Sequence, residues 1–299
     1  MKQLAIIGPT ASGKSKLALD LALTHNAVIL SIDSLSIYTD INIASAKPTK
    51  KELSLVKHFG IDILRPDETA SVFTFIHEYH RAHTYAQENH KNVIIVGGSS
   101  FYLKSMLDGL SHIPIIEDAV REEASVILMD TLNAHRFLAD IDPMMMSTIE
   151  SNDRYRIEKM LHLYLQTKTP PSQWFKMHPP LSVITHCPVL NIDIDRAYLR
   201  ERIALRTQLM IRDGVIDEVA QCEQLYGRTP NSMKAIGMIE TLEYLDGKCS
   251  KQELIERIST HTAQLAKRQQ TFNTHQFTLT ANKCVQELYS IGESLLEQS

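Results

Sequence analysis

The sequence predicts an α/β protein in which a parallel sheet is flanked by helices. Three observations support this prediction. Short apolar runs alternate with helical patterns over the first hundred residues, a glycine-rich loop follows the first run, and another apolar run returns near residue 190. Such alternation is typical of a parallel sheet with helices on both faces, because each crossover between parallel strands needs a helix.

The predicted strands are short and apolar, and the predicted helices separate them. The strands cover residues 4–7, 27–32, 60–64, 92–96, 188–192 and 277–280. The helices begin after the glycine-rich loop and continue at 71–89, 100–107, 196–213, 215–226, 233–246 and 251–275. Parallel strands place ligands at their carboxyl ends, so we expect the site at residues 8–10, 33–34 and 97–99.

The strand pattern is interrupted by a long helical segment. Helical stretches recur near 117–129, 131–139 and 153–167, without strand patterns between them. The methionines at 144–146 are interpreted as packing residues. We therefore predict a helical insertion domain, 113–185, within a core formed by 1–112 and 186–299.

The pattern Gly8-x-x-x-x-Gly13-Lys14-Ser15 links the first strand to the first helix. This strand–loop–helix context is the one that a phosphate-binding loop requires. Glycine adopts backbone angles that other residues resist, which lets the loop N–H groups join the positive end of the helix around an anion. Lys14 adds a full charge, and the Ser15 hydroxyl can bind Mg²⁺. The predicted phosphate-binding residues are Gly8, Thr10, Ala11, Ser12, Gly13, Lys14 and Ser15.

The loop by itself leaves the bound phosphate compound open, because a nucleotide and any other diphosphate with Mg²⁺ satisfy the same chemistry. The composition argues against several classes of protein. The chain has 299 residues, is 43% apolar, carries a net charge of −4 and has four widely spaced cysteines. It has no apolar run of about 18 residues, no zinc-ligand spacing and no room for a signal peptide before the first strand. We therefore expect a cytoplasmic protein whose polyanionic partners are bound by local basic patches.

Two polar residues follow predicted strands beside the loop. Asp33 is placed to hold Mg²⁺ or to accept a proton, although an aspartate here can also simply cap a turn. The strand at 92–96 ends in Gly97-Gly98-Ser99 instead of the acidic residue of many phosphate-loop NTPases, which argues against ATP hydrolysis. Ser99 can contact a phosphate, orient Asp33 or cap the next helix.

Basic residues cluster on three predicted helices. On the first, Arg202 and Arg206 are one turn apart and share a face, which suits a two-pronged grip on a phosphate as well as a solvated surface. The complete clusters are Arg196, Arg200, Arg202, Arg206 and Arg212; Arg154, Arg156 and Lys159; and Lys267 with Arg268. In an acidic protein they indicate a path for nucleic acid.

Taken together, these motifs resemble those of the tRNA dimethylallyltransferases, also called tRNA isopentenyltransferases. The shared segments follow one another in order from residue 4 to residue 272, well beyond the phosphate loop. They are Gly8–Ser15, Ser31–Ser34 with Ile37 and Tyr38, Ala44–Pro48, Val96–Ser99 with Tyr102, Asn152 and Asp153 with Arg156 and Ile157, Asp195–Val219, Ala235–Gly237 with Glu240, and Ala266–Gln269.

The resemblance implies a phosphate-loop NTPase-like fold and a specific reaction. The reaction is transfer of a dimethylallyl group from dimethylallyl diphosphate to N6 of adenosine 37, next to the anticodon, in tRNAs that read codons starting with U. The loop would then hold the donor's diphosphate, with Mg²⁺ at Ser15. Asp33 would accept the N6 proton, Ser99 would lie near the substrate, and Arg206 would stabilise the leaving diphosphate.

The resemblance also implies RNA contacts from the core and the insertion. The residues concerned are Asp33, Ser34, Leu35, Ser36, Arg121, Tyr155, Arg156, Ile157, Glu158, Lys159, Lys234 and Gly237. The expected partners are the anticodon stem-loop of tRNA and dimethylallyl diphosphate, and we expect a monomer without membrane contact.

The sequence departs from the family's pattern at a few positions. Ser99 stands where threonine is usual, and Lys159 replaces an arginine. Near the C-terminus, Ala263 replaces an arginine, and Phe272-Asn273 replaces Trp-Phe or Trp-Leu. The zinc finger of eukaryotic relatives is absent, which favours a bacterial type.

Three other functions use parts of the same pattern. A small-molecule kinase shares the loop and the aspartate, but it needs a pocket for the ATP base and a lid. In a non-catalytic RNA-binding module, Lys14 and Asp33 would have no chemical role. Prenylation of free AMP or ADP uses the same chemistry without needing the basic insertion.

Overall fold

The computed structural model describes residues 1–297 and divides them into two compact units. The first, the sheet unit, consists of Met1–Ser105 together with the chain from Ile184 onward. The second, the helical unit, consists of Met106–Val183.

A six-stranded sheet forms the centre of the sheet unit, with the order β3-β2-β4-β1-β5-β6 and all neighbours parallel. The strands are β1 (Gln3–Ile7), β2 (Ala27–Ser31), β3 (His58–Phe59), β4 (Asn92–Val96), β5 (Val189–Ile192) and β6 (Ala281–Lys283). In register, Ile6 of β1 lies beside Val96 of β4 on one side and Leu190 of β5 on the other. The loops after these three strands therefore meet at one edge of the sheet.

Helices cover the sheet and complete its core. Those of the sheet unit are α1 (Lys14–Thr24), α2 (Lys50–Leu55), α3 (Val72–Glu88), α4 (Ser100–Asp108, which begins in this unit), α10 (Arg196–Arg212), α11 (Val215–Tyr226), α12 (Met238–Leu245), α13 (Lys251–Gln276) and α14 (Val285–Glu297). Leu17 and Leu21 of α1 pack with Ile6 and Ile94 of the strands, and all four are almost completely buried. A strand that is buried on both faces needs a continuous run of apolar residues. The sequence therefore showed where these strands lie.

The structure corrects three predicted elements of the sheet unit. The third strand is His58–Phe59 rather than 60–64, because Gly60 turns the chain with φ of 73°. The last strand is Ala281–Lys283 rather than 277–280; it is a polar edge strand without the alternation that marks a half-buried one. The predicted helix 233–246 is interrupted, since Gly237 has φ of 94° between a 3₁₀ turn and α12.

The helical unit has its own apolar core. Its helices are α5 (Asp118–Ile127), α6 (Thr131–Ile141), α7 (Pro143–Met146), α8 (Arg154–Thr167) and α9 (Pro171–Met177). Ala124, Leu138 and Leu161 are completely buried between them. Of the methionine triplet, Met146 packs in this core, whereas Met144 is 70% exposed.

The sequence analysis did not predict four of the helices, α2, α7, α9 and α14. The first three are only one or two turns long, so they show little periodicity. Within residues 1–297, no helix has the length and apolar character needed to cross a bilayer.

Candidate active site

The phosphate loop connects β1 to α1 at the carboxyl edge of the sheet. Gly13 precedes the helix with φ of 101°, a conformation that strains any residue with a Cβ. Ala11 also has a positive φ, of 63°. Lys14 Nζ donates a hydrogen bond of 2.6 Å to Pro9 O within the loop. The Lys14 ammonium thus lies inside the loop that the sequence predicted to hold a phosphate.

Burial changes the proton affinity of the two cations at the loop. Desolvation lowers the pKa of Lys14 to about 8, with Asp33 opposing the shift and Arg206 adding to it. Desolvation also lowers the pKa of Arg206, again opposed by Asp33, although a guanidinium stays charged at any pH of interest. Lys14, Arg206 and Asp33 line the same cavity.

Two arginines of α10 bind the loop from one helix face. Arg202 Nε donates to Ala11 O at 2.7 Å, and Arg206 Nη1 donates to Thr10 Oγ1 at 2.9 Å. Their spacing of four residues places both guanidinium groups on the same side of the helix, as the sequence indicated. Each uses only some of its five N–H donors in these bonds, so donors remain for an anion in the loop.

Asp33 lies after β2 with its carboxylate held by the following turn. Oδ1 accepts hydrogen bonds from Leu35 N at 2.9 Å and from Ser36 N at 3.1 Å. Ser99 Oγ accepts from Ser34 N at 3.1 Å, which joins the ends of β2 and β4. The aspartate is therefore oriented by backbone groups, and its Oδ2 faces the same space as Gly98.

Gln269 is a site residue that the sequence analysis quoted in a motif but did not assign to the site. Its Oε1 accepts from Thr10 N at 2.8 Å, and its Nε2 donates to Gly98 O at 2.9 Å. A Cβ on Gly98 would lie only 2.6 Å from that Nε2, so a side chain at this position would displace the Gln269 amide. The amide thus fastens α13 to the loop and to the end of β4.

Glu218 is a second contributor to the site that was not predicted. Its carboxylate accepts from the backbone N–H groups of Asn42, Ile43 and Ala44 at 2.8–3.0 Å. Three converging N–H donors fix the segment that continues to Pro48, which lines the cavity over the loop. No local pattern connects residue 218 with residues 42–44, so only the fold reveals this contact.

Two cavities meet at these residues. The phosphate-loop cavity, of about 330 Å³, is lined by Gly13, Lys14 and Ser15. The Ser99 cavity, of about 530 Å³, is lined by Ser99, Leu35 and Lys234 among others. Residues common to both linings are Thr10, Asp33, Ser45, Gly98 and Arg206. A ligand in each cavity would therefore reach the other across Asp33 and Arg206.

The phosphate-loop cavity is rich in positive charge, which suits an anion. The cations in its lining are Lys14, Lys16, Lys47, Arg202 and Arg206, and the carboxylates are those of Asp33 and Glu52. Lys47 is engaged by Asp62 at 2.5 Å and by Tyr38 O at 2.5 Å, so it is fixed within its own loop. Lys14 and the two arginines of α10 are the cations that surround the phosphate loop itself.

The remaining predicted RNA-contact residues of the sheet unit differ in exposure. Ser34 and Lys234 are exposed, and Leu35 is half-buried. Ser36 and Gly237 are buried, and Ser36 Oγ lies 3.3 Å from Ser31 Oγ. The first three are placed to meet a ligand in the Ser99 cavity, whose lining they form.

In the helical unit, Asp153 caps α8 and organises the predicted RNA-contact residues. Its carboxylate accepts from Arg156 N at 3.1 Å and pairs with Arg156 Nε at 3.4 Å. Tyr155 is 69% exposed, and Lys159 Nζ lies 5.4 Å from the centre of its ring. Ile157 is completely buried in the core of the unit, so its side chain packs and does not meet RNA, which corrects the prediction for that position.

The two other predicted positions of this unit lie on α5 and α8. Arg121 is on α5, where its Nε lies 3.8 Å from Asp118 Oδ1. Glu158 is half-buried on α8. Arg154, counted among the basic residues, donates to Leu128 O and so links the start of α8 to the C-terminal end of α5.

Comparison with known proteins identifies the family. The sequence model of the IPP transferase family matches residues 36–276. A tRNA dimethylallyltransferase of Sulfurimonas denitrificans is 51% identical over 296 residues, covering 99% of this chain and all of that protein. A tRNA dimethylallyltransferase of Sulfurovum sp. is 49% identical and covers 97% of both chains.

Solved structures of the same kind of protein share the fold. A tRNA isopentenylpyrophosphate transferase of Bacillus halodurans superposes with a TM-score of 0.70 at 27% identity, covering 99% of this chain and 97% of that one. A eukaryotic dimethylallyltransferase described as acting on tRNA gives a TM-score of 0.80 at 26% identity, covering 91% of this chain and 70% of that one. The chain therefore belongs to the IPP transferase family and is a prenyltransferase.

Proposed function

We propose that this enzyme transfers a dimethylallyl group from dimethylallyl diphosphate to N6 of adenosine 37 in tRNAs that read codons starting with U. Curated relatives about half identical over nearly the whole chain carry the name tRNA dimethylallyltransferase. The structural observation that carries the proposal is the meeting of two cavities at Asp33 and Arg206. One cavity is suited to an anion, and the other opens beside a carboxylate that can accept a proton.

In this proposal the donor's diphosphate occupies the phosphate loop. Lys14, Arg202 and Arg206 surround that loop and supply charge where the leaving diphosphate becomes more negative. The Ser15 hydroxyl, together with diphosphate oxygens and water, would hold Mg²⁺, an ion that keeps several waters and binds substrate phosphates. That donor set fits the exposed Ser15 at the cavity wall, and the ion would supply further neutralisation of the diphosphate.

The acceptor base would enter the Ser99 cavity. The lone pair of the N6 amine forms the bond to C1 of the donor, the C1–O bond breaks, and its electron pair leaves with the diphosphate. Asp33 accepts the proton lost from N6. The two backbone N–H groups on Oδ1 hold the carboxylate in place, and Oδ2 faces the cavity. To reach this position, the base must leave the stack of the anticodon loop at a cost of a few kcal/mol.

Exposed basic and aromatic residues of the helical unit, such as Arg156, Lys159 and Tyr155, would contact the anticodon stem-loop. We propose that the enzyme acts as a monomer in the cytoplasm.

The test is incubation of the purified enzyme with dimethylallyl diphosphate, Mg²⁺ and unmodified tRNA, followed by mass analysis of the nucleosides. We expect dimethylallyladenosine at position 37 and release of one diphosphate for each modified tRNA. In one parallel reaction ATP replaces dimethylallyl diphosphate, and in another free AMP replaces tRNA. Phosphate transfer from ATP, or prenylation of AMP at the rate of tRNA, would contradict the proposal.

A further inference from the structure

Phe101 is an exposed aromatic residue in the wall of the Ser99 cavity. It lies in the first turn of α4, two residues after Ser99, and it forms part of the lining together with Asp33 and Leu35. Its side chain is 57% exposed. A planar ligand that enters this cavity beside the Asp33 carboxylate can therefore contact the Phe101 ring.

The orientation of the Phe101 ring is supported from within the core. Its centre lies 6.0 Å from that of Tyr102 in an edge-to-face arrangement, and Tyr102 stacks on Phe75 at 4.2 Å. Phe75 is a completely buried residue of α3. The three rings form a series from the core to the cavity, so the Phe101 ring lies at the outer end of an aromatic cluster that is anchored in the core.

We propose that Phe101 stacks on the nucleobase that enters the Ser99 cavity. The inference rests on the proposed function, because it concerns the acceptor side of the same site. A base that leaves its stack loses contact with its neighbours on both faces, and aromatic side chains replace such contacts in proteins that bind unpaired RNA. Because every base has a π-face, stacking on Phe101 increases the affinity for RNA without selecting one base. The polar groups of the cavity would select the base.

Steady-state kinetics with varied tRNA and saturating dimethylallyl diphosphate test the proposal. Phe101→Leu should raise KM for tRNA roughly tenfold, because it removes one base-stacking contact. Its kcat and its KM for the donor should stay near those of the wild type. Phe101→Tyr retains a ring and should behave like the wild type. Phe73→Leu is the matched control, since Phe73 is 69% exposed on α3 and lines neither cavity.

A binding measurement separates this inference from the proposed function. An anticodon stem-loop with 2-aminopurine at position 37 should fluoresce less when it is bound to the wild type or to Phe101→Tyr than when it is bound to Phe101→Leu, because only the first two offer a ring that stacks on the probe. Thermal melting of each variant shows that the fold is retained. If the wild type transfers no prenyl group but still quenches the probe through Phe101, the proposed function is wrong and the stacking stands. If Phe101→Leu matches Phe73→Leu in KM and in quenching, the stacking is wrong.

Discussion

Arg206 Nη1 donates a 2.9 Å hydrogen bond to Thr10 Oγ1, which fastens α10 to the phosphate loop at the point where two cavities meet. The guanidinium of Arg206 and the carboxylate of Asp33 both belong to the linings of the two cavities. One side chain thus positions the loop and places positive charge between the two expected substrates.

Arg206→Lys should lower kcat by roughly 100-fold to 1000-fold, the usual cost of losing a donor aimed at charge that develops in the transition state. Lysine keeps the charge but is a single point donor, so it cannot bind Thr10 Oγ1 and a diphosphate oxygen with a fixed fork. Single-turnover prenylation of tRNA measures the effect. Arg212→Lys is the control, because Arg212 lies on the same helix and pairs with Asp213 at 2.9 Å. A single-turnover rate for Arg206→Lys equal to that control would contradict the assignment.

Donor binding should weaken as pH rises through the pKa of Lys14. Burial lowers this pKa to about 8, so in the free enzyme the ammonium loses its charge above that pH. We expect KM for dimethylallyl diphosphate to increase with pH above 8 in the wild type. Lys14→Arg stays charged and should show a flat profile, and Lys14→Ala should use the donor poorly at every pH. Equal slopes for the wild type and Lys14→Arg would show that another group titrates.

The same lowered pKa has a consequence for stability. Between about 8 and 10.5, the unfolded chain holds the proton of Lys14 and the folded chain does not. The contribution of Lys14 to the free energy of unfolding should therefore grow as pH rises through this window. Urea titrations of the wild type and Lys14→Met on both sides of pH 8 measure the difference. The free energy of unfolding of the wild type minus that of Lys14→Met should increase with pH, and a decrease of this difference would contradict the sign.

Asp33→Asn should abolish transfer while leaving tRNA affinity within a few-fold. Asparagine retains an oxygen that can accept from Leu35 N and Ser36 N, so the turn stays in place. It cannot take a proton from N6, and loss of a general base lowers rates by about 100-fold to 10,000-fold. Asp33→Ala should also lose transfer and in addition loosen the turn. Turnover by Asp33→Asn close to that of the wild type would remove the carboxylate from the chemistry.

Much of this site was predictable because its signals are local. The phosphate loop, Asp33 at a strand end and the shared face of Arg202 and Arg206 all follow from spacing along a few residues. Gln269 could not be found in that way, since its contact with Thr10 spans 259 positions in the chain. The contact depends on how α13 packs against α10, which no short pattern encodes.

The elements of the fold also differ in how well a short stretch of sequence predicts them. Fully apolar strands such as β1 and β4 were recognised, whereas β6 was misplaced because an edge strand of three polar or small residues carries no burial pattern. The family resemblance implied an RNA contact for Ile157, whose side chain is completely buried. Its burial follows from helical periodicity, which places it on the opposite face from Tyr155 and Lys159.

Glu218→Gln should destabilise the protein by about 1–3 kcal/mol, because an amide has one oxygen and presents its NH₂ group to backbone donors. In the native chain both carboxylate oxygens accept from the N–H groups of Ile43 and its neighbours. Asp217→Asn is the control, since Asp217 is exposed on the same turn. Urea unfolding measures both. A loss for Glu218→Gln no greater than for Asp217→Asn would show that the loop does not depend on the carboxylate.

Asn273 belongs to a chain of buried polar side chains. The Asn273 amide lies 3.0 Å from the Asn191 amide and 2.7 Å from Ser100 Oγ, and Asn191 Nδ2 donates to Asn282 Oδ1 at 2.7 Å. Asn273 is completely buried. Replacing it with leucine therefore leaves buried polar groups of its neighbours without their partner.

We expect Asn273→Leu to lower the free energy of unfolding by about 1–3 kcal/mol, the cost of an unsatisfied buried polar group. The double variant Asn273→Leu with Asn191→Leu should lose less than the sum of the single variants, because both ends of the hydrogen bond are then apolar. Urea unfolding of the four proteins gives the coupling energy. Thr274→Val is a suitable control, because the Thr274 hydroxyl is exposed and bonds to Gln270 O of its own helix at 3.0 Å. If the single losses simply add, the two amides contribute independently and the polar chain does not act as a unit.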